Sequence, residues 1–142
     1  MPRQEQGNSA AARLSGVSIL VVEDEALIAM EIAATLEDEG ATVLGPASTV
    51  FRGLKYAKAE PLSAAVLDLR LNAESVAPVA RILASRGIPF LFYSGQIPSD
   101  PILAEWPDVP AIEKPALPGA IIEALERLLE MHRHPDSVTN CG

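Results

Sequence analysis

The chain has 142 residues, 49% of them hydrophobic and 21% charged, enough for one domain with a packed core and too few for two ordinary domains. Eleven Lys and Arg against nineteen Asp and Glu leave a net charge of −8, which argues against nucleic acid or an anionic membrane surface as the main partner. The single cysteine, Cys141, excludes an internal disulfide and a cysteine metal site. No apolar run is long enough to span a membrane, and the polar residues 1–8 do not read as a signal peptide. The expected setting is the reducing cytoplasm.

Residues 1–15 mix polar and small types without period and read as a flexible N-terminal tail. Residues 132–142 read likewise as a C-terminal tail, which leaves 16–131 as the folded domain. Residues 17–22 (VSILVV) are a short β-branched run that stops at Glu23-Asp24-Glu25, the pattern of a buried strand. Residues 26–39 switch to helical spacing, with Ile28, Ile32 and Leu36 on one side, and Gly40 closes the helix. A second strand over 41–44 is closed by Gly45-Pro46. A second helix follows over 48–59, with Ser48 as its cap and Val50, Phe51, Leu54 and Ala57 inward. Residues 64–67 (AAVL) form a third strand ending at Asp68, and 75–85 a third helix stopped by Gly87. A fourth strand over 88–93 ends at Ser94-Gly95. A short helix fits 100–106, with Pro101 suited to its first position and Pro107 closing it. A weak fifth strand covers 109–112. The clearest helix, 118–131, turns Ile121, Ile122, Leu125, Leu128 and Leu129 inward. Five strand–helix units of this kind predict an α/β fold, a parallel sheet with helices on both faces, whose ligands sit beyond the carboxyl ends of the strands.

At those ends the chemistry collects. Strand one ends in Glu23-Asp24, strand three in Asp68, strand four in Ser94, and strand five runs into Lys114-Pro115. Carboxylates crowded to about 4 Å repel by roughly 4 kcal/mol per pair at an effective dielectric near 20, so the cluster calls for a bound cation or a proton. Oxygen ligands suit Mg²⁺. A divalent ion, a lysine and a hydroxyl around one carboxylate form a cradle for the three equatorial oxygens of a phosphoryl group. Asp68 is then the nucleophile that becomes an acyl phosphate. Taken singly, each residue has a plainer reading. Glu23 and Asp24 suit a helix N-terminus with Asp24 as cap, Asp68 is a loop acid, Lys114 a turn lysine and Ser94 a turn serine. The joint pattern favours the cradle. Pro115 after Lys114 also favours an extended backbone that aims the side chain. His132 and His134 lack an acidic partner in register and read as tail residues, while Trp106 and Tyr93 read as core or partly covered.

Val21-Val22-Glu23-Asp24-Glu25, Val66-Leu67-Asp68, Ser94-Gly95 and Glu113-Lys114-Pro115, in that order and each at a strand end, resemble the response-regulator receiver domain of two-component signalling. The resemblance covers about 17–131. It implies a flavodoxin-like, doubly wound (βα)5 fold with a five-stranded parallel sheet. It implies Mg²⁺ held by Glu23, Asp24, Asp68 and the backbone carbonyl of Arg70, with Asp68 as phosphoacceptor paired to Lys114. Ser94 then stands at the hydroxyl position that reports phosphorylation. Arg70 and Gln96, two residues after Asp68 and Ser94, are implied to line the phosphoryl path and set the lifetime of the signal. The implied partners are a histidine kinase or histidine phosphotransfer protein and a downstream protein target reached by protein contact, with a dimer left open. Only self-phosphorylation and self-dephosphorylation are expected, so the chain is not read as an enzyme in the ordinary sense.

Three departures stand out. Ala111 replaces the aromatic residue usual three positions before the lysine. The stretch between Ser94 and Lys114 is short and holds Pro98, Pro101, Pro107 and Pro110, which predicts a stunted fourth helix. Phe92-Tyr93-Ser94-Gly95 resembles a divergent receiver branch with a Phe-x-Thr-Gly motif that lacks the aromatic switch. A degenerate receiver that acts as a phosphorylation-independent docking module is therefore one alternative. A Mg²⁺-dependent aspartyl phosphohydrolase is another, disfavoured because Arg70 stands where a second acid belongs and no residues are left for a cap. Eleven residues beyond Met131 are too few for an output module, and whether the chain stands alone or is cut from a longer protein stays open.

Overall fold

The structure is a computed structural model that describes residues 12–95 and 101–133. Along these residues the elements run β1 (Ser18–Val22), α1 (Ala26–Asp38), β2 (Thr42–Ala47), α2 (Val50–Ala59), β3 (Ala64–Leu67), β4 (Arg70–Leu71), β5 (Glu74–Ser75), α3 (Ala77–Ser85), β6 (Phe90–Ser94), α4 (Ile102–Glu105), β7 (Ala111–Glu113) and α5 (Pro118–Arg133). The central sheet has the order β2-β1-β3-β6-β7 and every pairing in it is parallel. This is the flavodoxin-like α/β arrangement expected from the alternation of strands and helices.

Strand residues alternate between two cores, because successive side chains leave a strand on opposite faces. Leu20, Val22, Ala65, Leu67, Phe90 and Phe92 meet α2 and α3 on one face. Ile19, Val21, Ala64, Val66, Leu91 and Tyr93 meet α1 and α5 on the other. Both faces are covered, so the strands read as continuous apolar runs. Phe90 packs edge-on against Phe92 and against Trp106, which seats the short α4 at the margin of the first core.

The described fold reaches beyond 16–131 at both ends. Leu14, expected in the tail, is 1% exposed and packs into the second core. Its N–H donates to the Glu39 carbonyl at 2.7 Å, and neighbouring Arg13 pairs with Glu126 of α5. Helix α5 continues to Arg133 and takes in His132. His134 and Cys141 lie outside the described residues, as do Gln96 and Pro98.

Several local expectations need correction. Thr49, not Ser48, caps α2, its hydroxyl accepting from the Arg52 N–H at 3.1 Å. Phe51 points outward and is 71% exposed, because α2 buries Val50, Gly53 and Ala57 instead. Pro101 precedes α4 rather than opening it. Residues 70–75, expected to be loop and helix start, form an antiparallel hairpin with Arg70 opposite Ser75 and Leu71 opposite Glu74. Its two turn residues, Asn72 and Ala73, both have positive φ, the requirement of a tight hairpin turn.

Strand β2 does not stop at Gly45-Pro46 but runs on to Ala47. The register slips between Leu20 and Val22 to accommodate the extra residue. Gly45 makes this possible: its φ is +94°, and a Cβ there would lie 2.9 Å from the Val21 carbonyl oxygen and 2.6 Å from the Ala47 nitrogen. The bulge delivers the Ala47 carbonyl to the Glu23 N–H at 2.9 Å, so a backbone irregularity in β2 fixes the first acid of the site. Gly45→Ala is expected to lower the unfolding free energy by about 2 kcal/mol, through left-handed strain and backbone collision. Urea denaturation measures this, and an unchanged midpoint would contradict the assignment.

Candidate functional site

Parallel register sets the site. Val22 pairs with Leu67 and Leu67 with Phe92, so the residues that follow β1 and β3, Glu23 and Asp68, emerge side by side. The Asp68 N–H donates to the Val22 carbonyl at 2.9 Å, and the Lys114 N–H to the Ser94 carbonyl at 3.0 Å. The ends of four strands thus meet at one edge of the sheet.

Lys114 stands at the centre. Its Nζ lies 3.0 Å from Asp68 Oδ2, 2.9 Å from Glu23 Oε1 and 3.0 Å from Glu25 Oε1. The Glu23 side chain is 2% exposed, that of Asp68 8% and that of Lys114 12%, so these contacts are poorly screened. The Lys114–Pro115 peptide bond is cis. Burial lowers the proton affinity of the Lys114 amine, but its hydrogen bonds to Glu23, Glu25 and Asp68 outweigh that and hold it above the ordinary lysine range. Burial pushes the Glu23 carboxyl up to about 7. Hydrogen bonds from Lys114 and from the Glu25 N–H oppose the rise, and the Asp68 charge adds to it.

The acidic run divides by the period of extended chain. Glu23 and Glu25, two residues apart, turn to the same side and reach Lys114. Asp24 turns away, and its Oδ2 accepts the Asn72 N–H at 2.9 Å. Glu25 occupies the N-cap position of α1 but makes no side-chain cap bond there, and its carboxylate is committed to Lys114. The N-cap position thus falls on Glu25 rather than on Asp24, the cap of the plainer reading, while Glu23 Oε2 accepts the Glu25 N–H at 3.0 Å. Carboxylate oxygens of Glu23, Glu25 and Asp68 lie within 4.8 Å of one another. Glu25 joins the site without having been expected there, although its place two residues after Glu23 was the available signal.

Beside this cluster opens a cleft of about 610 Å³, lined by Asp24, Glu25, Asp68, Arg70, Ser94 and Lys114 and walled by the Asn72–Ala73 turn. Ser94 is fully buried and Arg70 half-buried at its edge. Five of the residues expected at the site, Asp24, Asp68, Arg70, Ser94 and Lys114, thus border one cavity, with Glu23 bonded to Lys114 just beneath. Gln96 lies outside the described residues. The cleft is bordered by Asp24, Glu25 and Asp68, two of which reach the Lys114 amine together with Glu23, and its described lining holds no His or Cys. Such an all-oxygen donor set suits a hard divalent cation.

No family model and no curated protein matches the sequence. Among solved structures, that of SdrG from Sphingomonas melonis Fr1 is 37% identical, covering 82% of this chain and 98% of that one with a TM-score of 0.69. A response regulator receiver protein from Sinorhizobium medicae WSM419 is 26% identical, covering 82% and 96% with a TM-score of 0.73. The chain belongs to the response-regulator receiver family. The receiver domain of the sensor histidine kinase PA1611 from Pseudomonas aeruginosa PAO1, with magnesium in its active-site cleft, shares the fold at 20% identity, covering 82% and 99% with a TM-score of 0.71. Among the described residues of this receiver domain, no helix is long and apolar enough to cross a membrane.

The buried cluster makes stability depend on pH in a definite direction. Glu23 holds its proton more tightly folded than unfolded. Its contribution is present below the ordinary 4.5 and lost as pH rises through about 7. In Mg²⁺-free buffer, Glu23→Gln should flatten the fall in stability across that window. Lys114→Met should cost about 3 kcal/mol above it, because three carboxylates lose their cation, and less below it. Urea titrations at a series of pH values check both; parallel curves for wild type and Glu23→Gln would contradict the assignment.

Proposed function

We propose that this receiver domain takes a phosphoryl group onto Asp68 from the phosphohistidine of a cytoplasmic histidine kinase or histidine phosphotransfer protein, and signals by contact with a downstream protein. The observation that carries this reading is the Asp68 carboxylate, bordering the cleft with one oxygen 3.0 Å from the Lys114 ammonium. An Asp68 oxygen attacks phosphorus in line. The P–N bond to the imidazole breaks, a P–O bond forms, and the imidazole leaves with the electron pair. Lys114 is positioned to hold one phosphoryl oxygen, and the Ser94 hydroxyl, at the cleft wall, another.

Mg²⁺ is the proposed cofactor, supported by the all-oxygen donor set and by the magnesium in the cleft of the related PA1611 receiver domain. Asp24, Asp68 and the Arg70 carbonyl would hold it, with Glu23 near by. When bound, the ion supplies positive charge for the phosphoryl oxygens. Glu25 has its own part: in the resting arrangement it shares Lys114 with Asp68, and a phosphoryl group that draws the ammonium to itself releases Glu25.

A second reading, a docking module that does not need phosphate, draws support from one position. Ala111 is exposed and presents no ring to couple the cleft to the β7 face. Incubation with acetyl phosphate and Mg²⁺, followed by intact-mass analysis, separates the two. The proposal expects the mass of one PO₃ unit on the wild type, lost on chelation and lost in Asp68→Asn. An unmodified wild type under conditions that label other receivers favours the docking module.

A further inference from the structure

Helix α2 segregates charge in a way the phosphoacceptor cleft does not explain. The chain carries a net charge of −8, yet the ten residues of α2 include Arg52, Lys55 and Lys58 and no acid. Together with Phe51 these form one stripe at helical spacing, and all four are exposed. Among the described residues none of the three cations is paired with a carboxylate. Elsewhere Arg13 pairs with Glu126, Arg81 with Glu105, Lys114 with the site acids, and Arg86 donates to the carbonyls of Ala57 and Glu60, while Arg127 and Arg133 lie on α5 among Glu123, Glu126 and Glu130.

Phe51 sharpens the case. It is 71% exposed, the Lys55 ammonium lies 5.8 Å from its ring centre, and it borders a groove of about 530 Å³ between α2 and the β4–β5 hairpin. Buried Leu71 lines that groove, with Thr49 and Asn72, and Glu74 is its one acid beside Arg52 and Lys55. An exposed aromatic ring flanked by Arg and Lys, beside a groove that also holds a leucine, has the composition of an interface centre. Asn72 walls this groove on one side and the phosphoacceptor cleft on the other.

We infer that the Phe51–Arg52–Lys55–Lys58 face of α2 docks an acidic protein segment carrying an apolar side chain that covers Phe51. The acidic character follows from three unpaired cations on one face, and the apolar anchor from the exposed ring. A polyanion such as RNA or an anionic bilayer would also meet the cations. It would, however, feel the repulsion of the remaining acidic surface over a far larger area. This surface rests on exposure and charge, not on chemistry at Asp68, so it stands or falls separately from the phosphoacceptor reading.

The test is a titration of the ¹⁵N-labelled protein with a synthetic peptide in which Glu residues flank a Leu-Phe pair. Its control is an equally charged peptide with Ser in place of Leu and Phe. Saturable amide shifts should centre on α2 and the hairpin. Arg52→Glu with Lys55→Glu should abolish them, and Phe51→Ala should weaken binding about tenfold. All three side chains are exposed, so the variants should melt as the wild type does. Equal binding of the Ser control, shifts centred elsewhere, no saturable shift, or tighter binding to phosphatidylserine vesicles or single-stranded RNA than to the peptide would each overturn the proposal.

Discussion

The site is organised around one ammonium group. Glu23, Glu25 and Asp68 bring carboxylates together at the edge of the sheet, two of them buried, and such a cluster is unstable unless a cation sits in it. Lys114 supplies that cation at 2.9–3.0 Å from all three. The arrangement leaves negative charge in excess, with Asp24 also on the cleft. An electrostatic opening for a second cation is therefore built into the resting state. The same amine that steadies the acids is the group best placed to meet an incoming anion, so structural and proposed chemical roles coincide in one residue.

The fold serves this contact with backbone precision. Parallel pairing carries β1, β3, β6 and β7 to a common edge, and the bonds from Asp68 to Val22 and from Lys114 to Ser94 tie the four ends together. The bulge at Gly45 supplies the last constraint by lending the Ala47 carbonyl to Glu23. Strain is concentrated where the site needs shape, in the left-handed Asn72–Ala73 turn that walls the cleft and holds Asp24 through its N–H.

Much of this was legible in the residues. β3 lies where its apolar run predicted, and β1, α1, α3 and α5 within two residues of expectation, because their burial patterns are strong and their ends carry charge or glycine. Clustering of Asp24, Asp68, Ser94 and Lys114 followed from strand ends alone. What escaped depends on longer-range geometry. The hairpin after Asp68 turns on Asn-Ala rather than Asn-Gly, so the usual signal was missing. β2 passes through Gly45-Pro46, a pair that ordinarily ends a strand, because a bulge in β2 against β1 absorbs the extra residue. Phe51 satisfies an apolar count for α2, but the helix phase is set by Gly53 and Ala57 packing inward, which turns the ring to solvent. Leu14 sits in a polar context and is buried only because the chain before β1 folds back over α1 and α5.

Ala111 and the four-residue α4 set this receiver apart from those with an aromatic switch, and shift attention to the surfaces next to the cleft, the hairpin and α2. A phosphoacceptor role requires that the Lys114-centred cleft accept a phosphoryl-like anion together with a divalent ion. Beryllofluoride with Mg²⁺, followed through the amide shifts of the ¹⁵N-labelled protein, measures that directly. The predicted result is stoichiometric binding that shifts the residues around Asp68, Ser94 and Lys114 and vanishes in Asp68→Asn. No saturable change at those amides in the folded wild type would contradict it.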